Sequence, residues 1–168
     1  IMRQEHFPEN TSDAIFSGPH IGLSNPIFKA SRSKCSINSD YDNVDLTIIG
    51  DKYIQRCNYQ PACSMQEYYA GLSKFVDGKP LIDHYRVTMR EMINLTGERS
   101  LIACLLPPKI AHIHTDFSIT TTDQTLLPLI AGCYASLPYD FYVKTLRKGH
   151  FNYSENMSVP LLQTAIQK

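Results

Sequence analysis

The chain has no tryptophan, no net charge, no CxxC pair and no long apolar run. Three of these absences each remove a class of protein. Lys plus Arg and Asp plus Glu both number 16, which excludes a strongly basic, histone-like binder and an acidic tail protein. The longest uninterrupted apolar stretch, Leu101 to Leu106, is far too short to span a membrane, so no membrane partner is expected. The cysteines, Cys35, Cys57, Cys63, Cys104 and Cys133, are odd in number, and none stands at zinc-knuckle or thiol-redox spacing. They read as reduced thiols of a cytoplasmic protein, with Cys104 and Cys133 in the core. Asn-x-Ser/Thr sequons at Asn10, Asn94, Asn152 and Asn156 matter only in a secreted protein, and no signal peptide is read here. Ile1 precedes Met2, so a fragment of a longer polypeptide is expected. HExxH, GxSxG, P-loop and GxGxxG motifs are all missing, which leaves few catalytic signals.

What is present describes a folded chain. Of 168 residues, 43% are hydrophobic and 19% charged, the balance of a globular protein rather than a disordered one. A chain of this size buries roughly 68–70% of its unfolded surface and needs no metal or disulfide to hold it. Residues 1–14 are polar and read as an irregular lead-in, followed by one domain over 15–168. Short apolar pieces at 14–16, 21–23 and 27–28 are punctuated by Gly18-Pro19 and Asn25-Pro26, which predicts short strands joined by turns. Leu46 to Ile49 reads as another strand. Ser64 with Glu67 is a capping-box pattern, and Met65, Tyr68, Tyr69, Leu72, Phe75 and Val76 continue at helical spacing. Tyr85, Val87 and Met89 alternate with Arg86, Thr88 and Arg90, the period of a strand with one apolar and one basic face. Leu101 to Leu106 reads as a fully buried strand, with further strands near 110–113 and 117–121. Thr122 or Asp123 opens a helix through Tyr134, and Ser136-Leu137-Pro138 opens a second one ending near Gly149. Residues 150–160 read as extended. The class is therefore α+β: short, mainly antiparallel strands packed with two or three helices.

The candidate chemistry is sparse. His112, His114 and Asp116 form a His-x-His with a carboxylate, which can hold a metal in a small metal-dependent hydrolase. No third His stands at a supporting spacing, so their structural reading is preferred. Asp83-His84 reads as a strand-entry pair facing water. Asn25-Pro26-Ile27-Phe28 approaches the Asn/Asp-Pro-Pro-Tyr/Phe loop of amino-methylating DNA methyltransferases. Its second proline is Ile27, however, and no Gly-rich cofactor loop precedes it, so no catalytic role is assigned. Three basic groups remain: Lys29, Arg32 and Lys34 in a loop; Arg86 and Arg90 on a strand; and Lys144, Arg147 and Lys148 along one helical face. The last group also suits a helix C-terminus, and Asp140 can pair with Lys144 one turn away. Together the three could supply cations for a phosphate backbone. Arg56, Asn58 and Asn152 are candidates for base-edge contacts. Arg99, between a turn and a buried strand, reads as a structural arginine. Tyr68, Tyr69, Tyr139 and Tyr142 could instead furnish a docking surface for a protein partner.

The order of short motifs is informative. Lys29-Ala30-Ser31-Arg32 with Cys35 precedes Tyr41-Asp42, Asp45-Leu46-Thr47, Tyr53, Arg56 and Asn58-Tyr59-x-Pro61. Tyr85-Arg86, Gly97-Glu98-Arg99-Ser100-Leu101-Ile102 and Leu106-Pro107-Pro108 follow. Tyr139-Asp140-Phe141-Tyr142, His150-Phe151-Asn152 and Val159-Pro160 close the series. Over roughly residues 16 to 162 this order resembles the C-terminal part of large N6-adenine DNA methyltransferases. Those enzymes belong to type IIG restriction–modification and to BREX- and DISARM-like phage defence. The resemblance implies a target-recognition region that grips double-stranded DNA for a methyltransferase domain upstream on the same polypeptide. S-adenosylmethionine and the catalytic loop would belong to that upstream domain, and this chain by itself would not be an enzyme.

Overall fold

The computed structural model describes residues 3–5, 8–21, 29–31, 37–45, 47–51, 53, 57 and 59–159. In chain order its strands and helices are β1 (Arg3–Glu5), β2 (Ile15–Phe16), β3 (Lys29–Ser31), β4 (Tyr41–Asn43), β5 (Tyr59–Pro61) and α1 (Met65–Ala70). They continue with β6 (Arg86–Arg90), β7 (Ala103–Leu106), β8 (Ala111–His112), β9 (Asp116–Ile119), α2 (Leu127–Ala135), α3 (Leu137–Thr145) and α4 (Tyr153–Met157). The fold is α+β, with short and mainly antiparallel strands. Among the described residues no helix is long and apolar enough to cross a membrane. Two compact units are distinguished: Ile1–His84 with Pro107–Ile113, and Tyr85–Leu106 with His114–Lys168.

In the first unit, one sheet has the order β1-β5-β2-β8. Its β1 strand lies inside the stretch expected to be irregular, and its Arg3, Gln4 and Glu5 pair with Pro61, Gln60 and Tyr59. Only β2 and β8 run parallel, with Ile15 beside Ala111 and Phe16 beside His112. Successive strand residues point to opposite faces. Phe16 accordingly joins Ala14 and Cys57 in one buried cluster, while Ile15 joins Tyr68 and Ala111 in another. Both faces are therefore covered. The β3 and β4 strands form a separate antiparallel pair.

The capping box at α1 forms as the sequence predicts. Glu67 N–H donates to Ser64 Oγ at 3.3 Å, and Ser64 N–H donates to the Glu67 carboxylate at 3.1 Å. The helix stops at Ala70, earlier than its apolar spacing suggests. Gly71 N–H closes on the Glu67 carbonyl, and the chain turns toward Gly78, whose φ of 82° suits glycine. So short a helix has little propagation to lean on. Ser64→Ala is expected to destabilise the protein by about 1 kcal/mol, read as a fall in denaturation midpoint; an unchanged midpoint would show that α1 does not depend on its cap.

Residues 47–49 are not the expected strand. The Asp45 carboxylate accepts from Thr47 N–H at 2.9 Å, and Ile48 N–H donates to the Asp45 carbonyl at 3.2 Å. Asp drives a local turn there in competition with strand pairing.

In the second unit a three-stranded antiparallel sheet has the order β7-β6-β9. Val87 and Met89 from β6 meet Leu101, Leu127, Ile130, Tyr134, Val143, Phe151 and Val159 in one buried core. The strand expected to be fully buried, β7, lies at the sheet edge and exposes Leu105. The second unit's α2 and α3 start with Pro128 and Pro138 in their first turns and meet at Ser136, as the sequence predicts. Residues 150–160 are not wholly extended, because Asn152 and Glu155 form a second capping box that starts α4.

Candidate nucleic-acid interface

The basic residues end up in different environments. Lys29 opens β3, opposite Asn43. Arg32, Lys34, Arg56 and Asn58 lie outside the described residues, as do Asn25 to Phe28. The expected solvent-facing basic stripe of β6 is absent. Arg86 is 1% exposed and Thr88 is buried beside it, with its hydroxyl donating to the Phe117 carbonyl at 3.2 Å. Arg90 is half-buried and stands directly across the β6–β9 ladder from Asp116. The period-two pattern is real, yet both faces of this strand are covered, so Arg86 cannot reach a phosphate from this position.

Of the third group only Lys144 lies on α3, which ends at Thr145; Arg147 and Lys148 follow it, so the three do not share one helical face as expected. Lys144 pairs with Asp140 at 3.1 Å, the pairing expected across one turn, and also donates to the Glu98 carbonyl at 2.8 Å. Lys148 pairs with Glu155. Arg147 is exposed, has a φ of 52°, and forms no ion pair with the described residues. Asn152, named above for base contacts, uses its side-chain oxygen to accept Ser154 N–H at 2.9 Å and cap α4. Glu155, the other half of that box, is held below the ordinary carboxylate range, first by its bond from Lys148.

Arg99 has the structural place expected of it. Its guanidinium donates to the Ala135 carbonyl at 2.8 Å, at the end of α2, and lies 3.6 Å from Asp140. Asp140 in turn accepts the backbone N–H groups of Ser100 and Leu101, each at 2.7 Å. These contacts join the Gly97-to-Ile102 motif to the Tyr139-to-Tyr142 motif.

The four candidate docking tyrosines are mostly engaged within the protein. Tyr68 is buried in α1 with Tyr69 edge-on to it, and the Lys109 ammonium stands 4.8 Å above the Tyr69 ring. Tyr139 packs edge-on against Tyr134, and Tyr142 donates to the Ser158 carbonyl at 3.2 Å. The exposed apolar side chains lie elsewhere: Leu137 and Phe141, one turn apart on α3, are 71% and 69% exposed.

The metal reading of His112, His114 and Asp116 finds no support. Among the described residues no group of three or more His, Cys, Asp or Glu could hold a metal ion. His112 ends β8, His114 stands in a turn, and Asp116 is buried in β9. Asp83 pairs with Lys109 at 2.6 Å, while His84 packs on Phe75 and approaches Asp77 at 3.3 Å, so these two do not form an acid–base couple. The burial of Asp116 is what sequence reading missed. The available signal was its alternation with Phe117 and Ile119, which puts it on the same sheet face as Arg90.

Comparison with models of known protein families, with curated proteins and with solved structures finds no match to this chain.

Proposed function

We propose that this chain is the target-recognition region of a cytoplasmic N6-adenine DNA methyltransferase, binding double-stranded DNA for a catalytic domain upstream on the same polypeptide. One observation carries the reading. Two of the motifs whose order gives the resemblance, Gly97-to-Ile102 and Tyr139-to-Tyr142, bond to one another in the second unit, and a third lies in its core and caps α4. Ser100 and Leu101 donate to Asp140, Lys144 reaches Glu98, Phe151 fills the core and Asn152 caps the following helix. They form the internal frame of a fold, which is where a lineage with variable base-reading surfaces would keep its fixed residues.

Phosphate contacts then fall to Arg147 and Lys148, exposed just beyond α3, together with Lys29, Arg32 and Lys34. Base edges fall to Arg56 and Asn58, since Asn152 is committed to its helix cap. Cations fix register on the duplex and side-chain forks discriminate bases. With zero net charge, affinity outside the full enzyme is expected to be modest and strongly salt-dependent.

The test is selection of duplexes with a randomised core by the purified chain, followed by binding at several salt concentrations. A single enriched motif is expected, and Arg147→Ala should reduce the slope of log affinity against log salt by about one. No enriched motif, together with an unchanged slope, would overturn the reading. A second reading, a module that docks another protein or another part of its own polypeptide, is favoured by the exposed Leu137 and Phe141. Salt-independent failure to retain DNA is the outcome that would favour it.

A further inference from the structure

We propose that Asp116, sealed beside Arg90 on the covered face of the β7-β6-β9 sheet, is a protonation-controlled fastener that holds β9 to β6 more firmly when neutral than when ionised. The proposal is independent of DNA binding and rests on geometry within one unit.

Asp116 is 4% exposed. It stands opposite Arg90 in the ladder, yet among the described residues neither carboxylate oxygen accepts a hydrogen bond and the buried Arg90 Nε finds no acceptor. The two charges attract without closing into a bonded pair. A buried carboxylate with no donors pays most of its desolvation cost, and such a group takes up a proton instead. Among the described residues two ionisable groups interact with it. From β6 comes Arg90, whose charge favours the carboxylate. From β7 comes Cys104, whose thiol is pushed up to about 11 by burial and then by the Asp116 charge. Burial wins at Asp116 and pushes its carboxyl up to about 7 against the pull of Arg90.

The direction follows from linkage. A carboxyl whose folded value lies above its unfolded one, 3.8, favours the folded state while it keeps its proton. That contribution is present in full below the unfolded value. It fades as pH rises and is gone above about 7. The ladder between Arg86–Arg90 and Asp116–Ile119 should therefore open more readily at pH 8 than at pH 5.5, by ~30-fold in the opening constant if each pH unit of displacement counts tenfold.

The test uses the whole 168-residue chain. Hydrogen exchange at the two pH values, corrected for intrinsic rates, should show that loss of protection at the β6 and β9 amides. Asp116→Asn should remove most of it. The difference between wild type and variant is the quantity read, so that pH effects arising elsewhere in the chain cancel. Carbon NMR of the wild-type Asp116 carboxyl, which needs no variant, should give a midpoint near 7, and Arg90→Gln should move that midpoint upward. A midpoint near 4, or parallel pH profiles for wild type and Asp116→Asn, would overturn the proposal.

Discussion

Asp140→Ala is expected to cost about 3–5 kcal/mol of stability, the penalty for removing one partner from a buried charged network. The side chain is buried in the first turn of α3, where a carboxylate already suits the helix dipole. Its Oδ1 accepts both Ser100 and Leu101 N–H at 2.7 Å, and its Oδ2 takes Lys144 at 3.1 Å. Alanine leaves two backbone donors without acceptors beside the buried Leu101, and an unmade buried hydrogen bond costs more than a made one contributes. Asp140→Asn should cost less, roughly 1–3 kcal/mol, because an amide oxygen can keep the two backbone bonds while its NH2 group faces the Lys144 ammonium. Equilibrium denaturation of wild type and both variants gives the ranking. Equal midpoints for Asp140→Ala and wild type would mean that Ser100 and Leu101 find other acceptors.

The same site sets the acid side of the stability profile. Burial raises the Asp140 carboxyl, but the N–H groups of Leu101 and Ser100, followed by Lys144, outweigh it and hold the group below its ordinary value of 3.8. A depressed folded value stabilises the fold above the unfolded value, and that contribution is lost as pH falls through the folded one. Wild type should therefore weaken below about pH 4, and Asp140→Asn should lose that part of the acid dependence. Asp116 acts in the opposite sense and favours acid. The two carboxyls, in one unit, confine its greatest stability to mildly acidic pH.

Much of this arrangement was legible in the sequence because it is local. The Ser64–Glu67 box, the two prolines opening α2 and α3, and the Asp140–Lys144 pair are decided within a few residues, and each forms as its spacing predicts. What the sequence hid is long-range. The alternation of Arg86, Thr88 and Arg90 with Val87 and Met89 is that of a two-faced strand, but alternation cannot say whether the polar face meets water. Here Arg86 and Thr88 are both buried, and a stripe that resembled a phosphate-binding face is part of the interior. Asn152 shows the reverse error. An exposed amide invites a role in base reading, yet Glu155 three residues on is the other half of a capping box, and that local signal outranks the functional one. The Leu46-to-Ile49 reading fails similarly, because Asp45 captures the backbone before an apolar run of that length can pair.

Phe151→Ala should have an effect comparable with that of Asp140→Ala, about 3–5 kcal/mol, for a different reason. The ring is fully buried and meets Tyr134 edge-on, with centroids 6.3 Å apart. Tyr134 is itself fully buried, and its hydroxyl donates to the Asn156 side chain in α4. Truncating Phe151 removes apolar area and leaves a cavity between α2 and the segment leading into α4, and the two losses add. The backbone cannot easily collapse into that space, because Phe151 N–H is tied to the Glu91 carbonyl at 2.7 Å and Ile93 N–H to the Gly149 carbonyl at 3.0 Å. Phe151→Leu, which keeps most of the volume, should cost roughly 1–1.5 kcal/mol. The contrast between the variants is the informative measurement. If alanine and leucine cost the same, edge-on contact with Tyr134 rather than filled volume sets the energy. If alanine costs under about 1 kcal/mol, the site collapses and the core is not anchored there. In the large-effect case, Asn152 should register the loss as well, since its cap begins one residue beyond the cavity and α4 has only the five residues Tyr153–Met157 with which to hold itself in place.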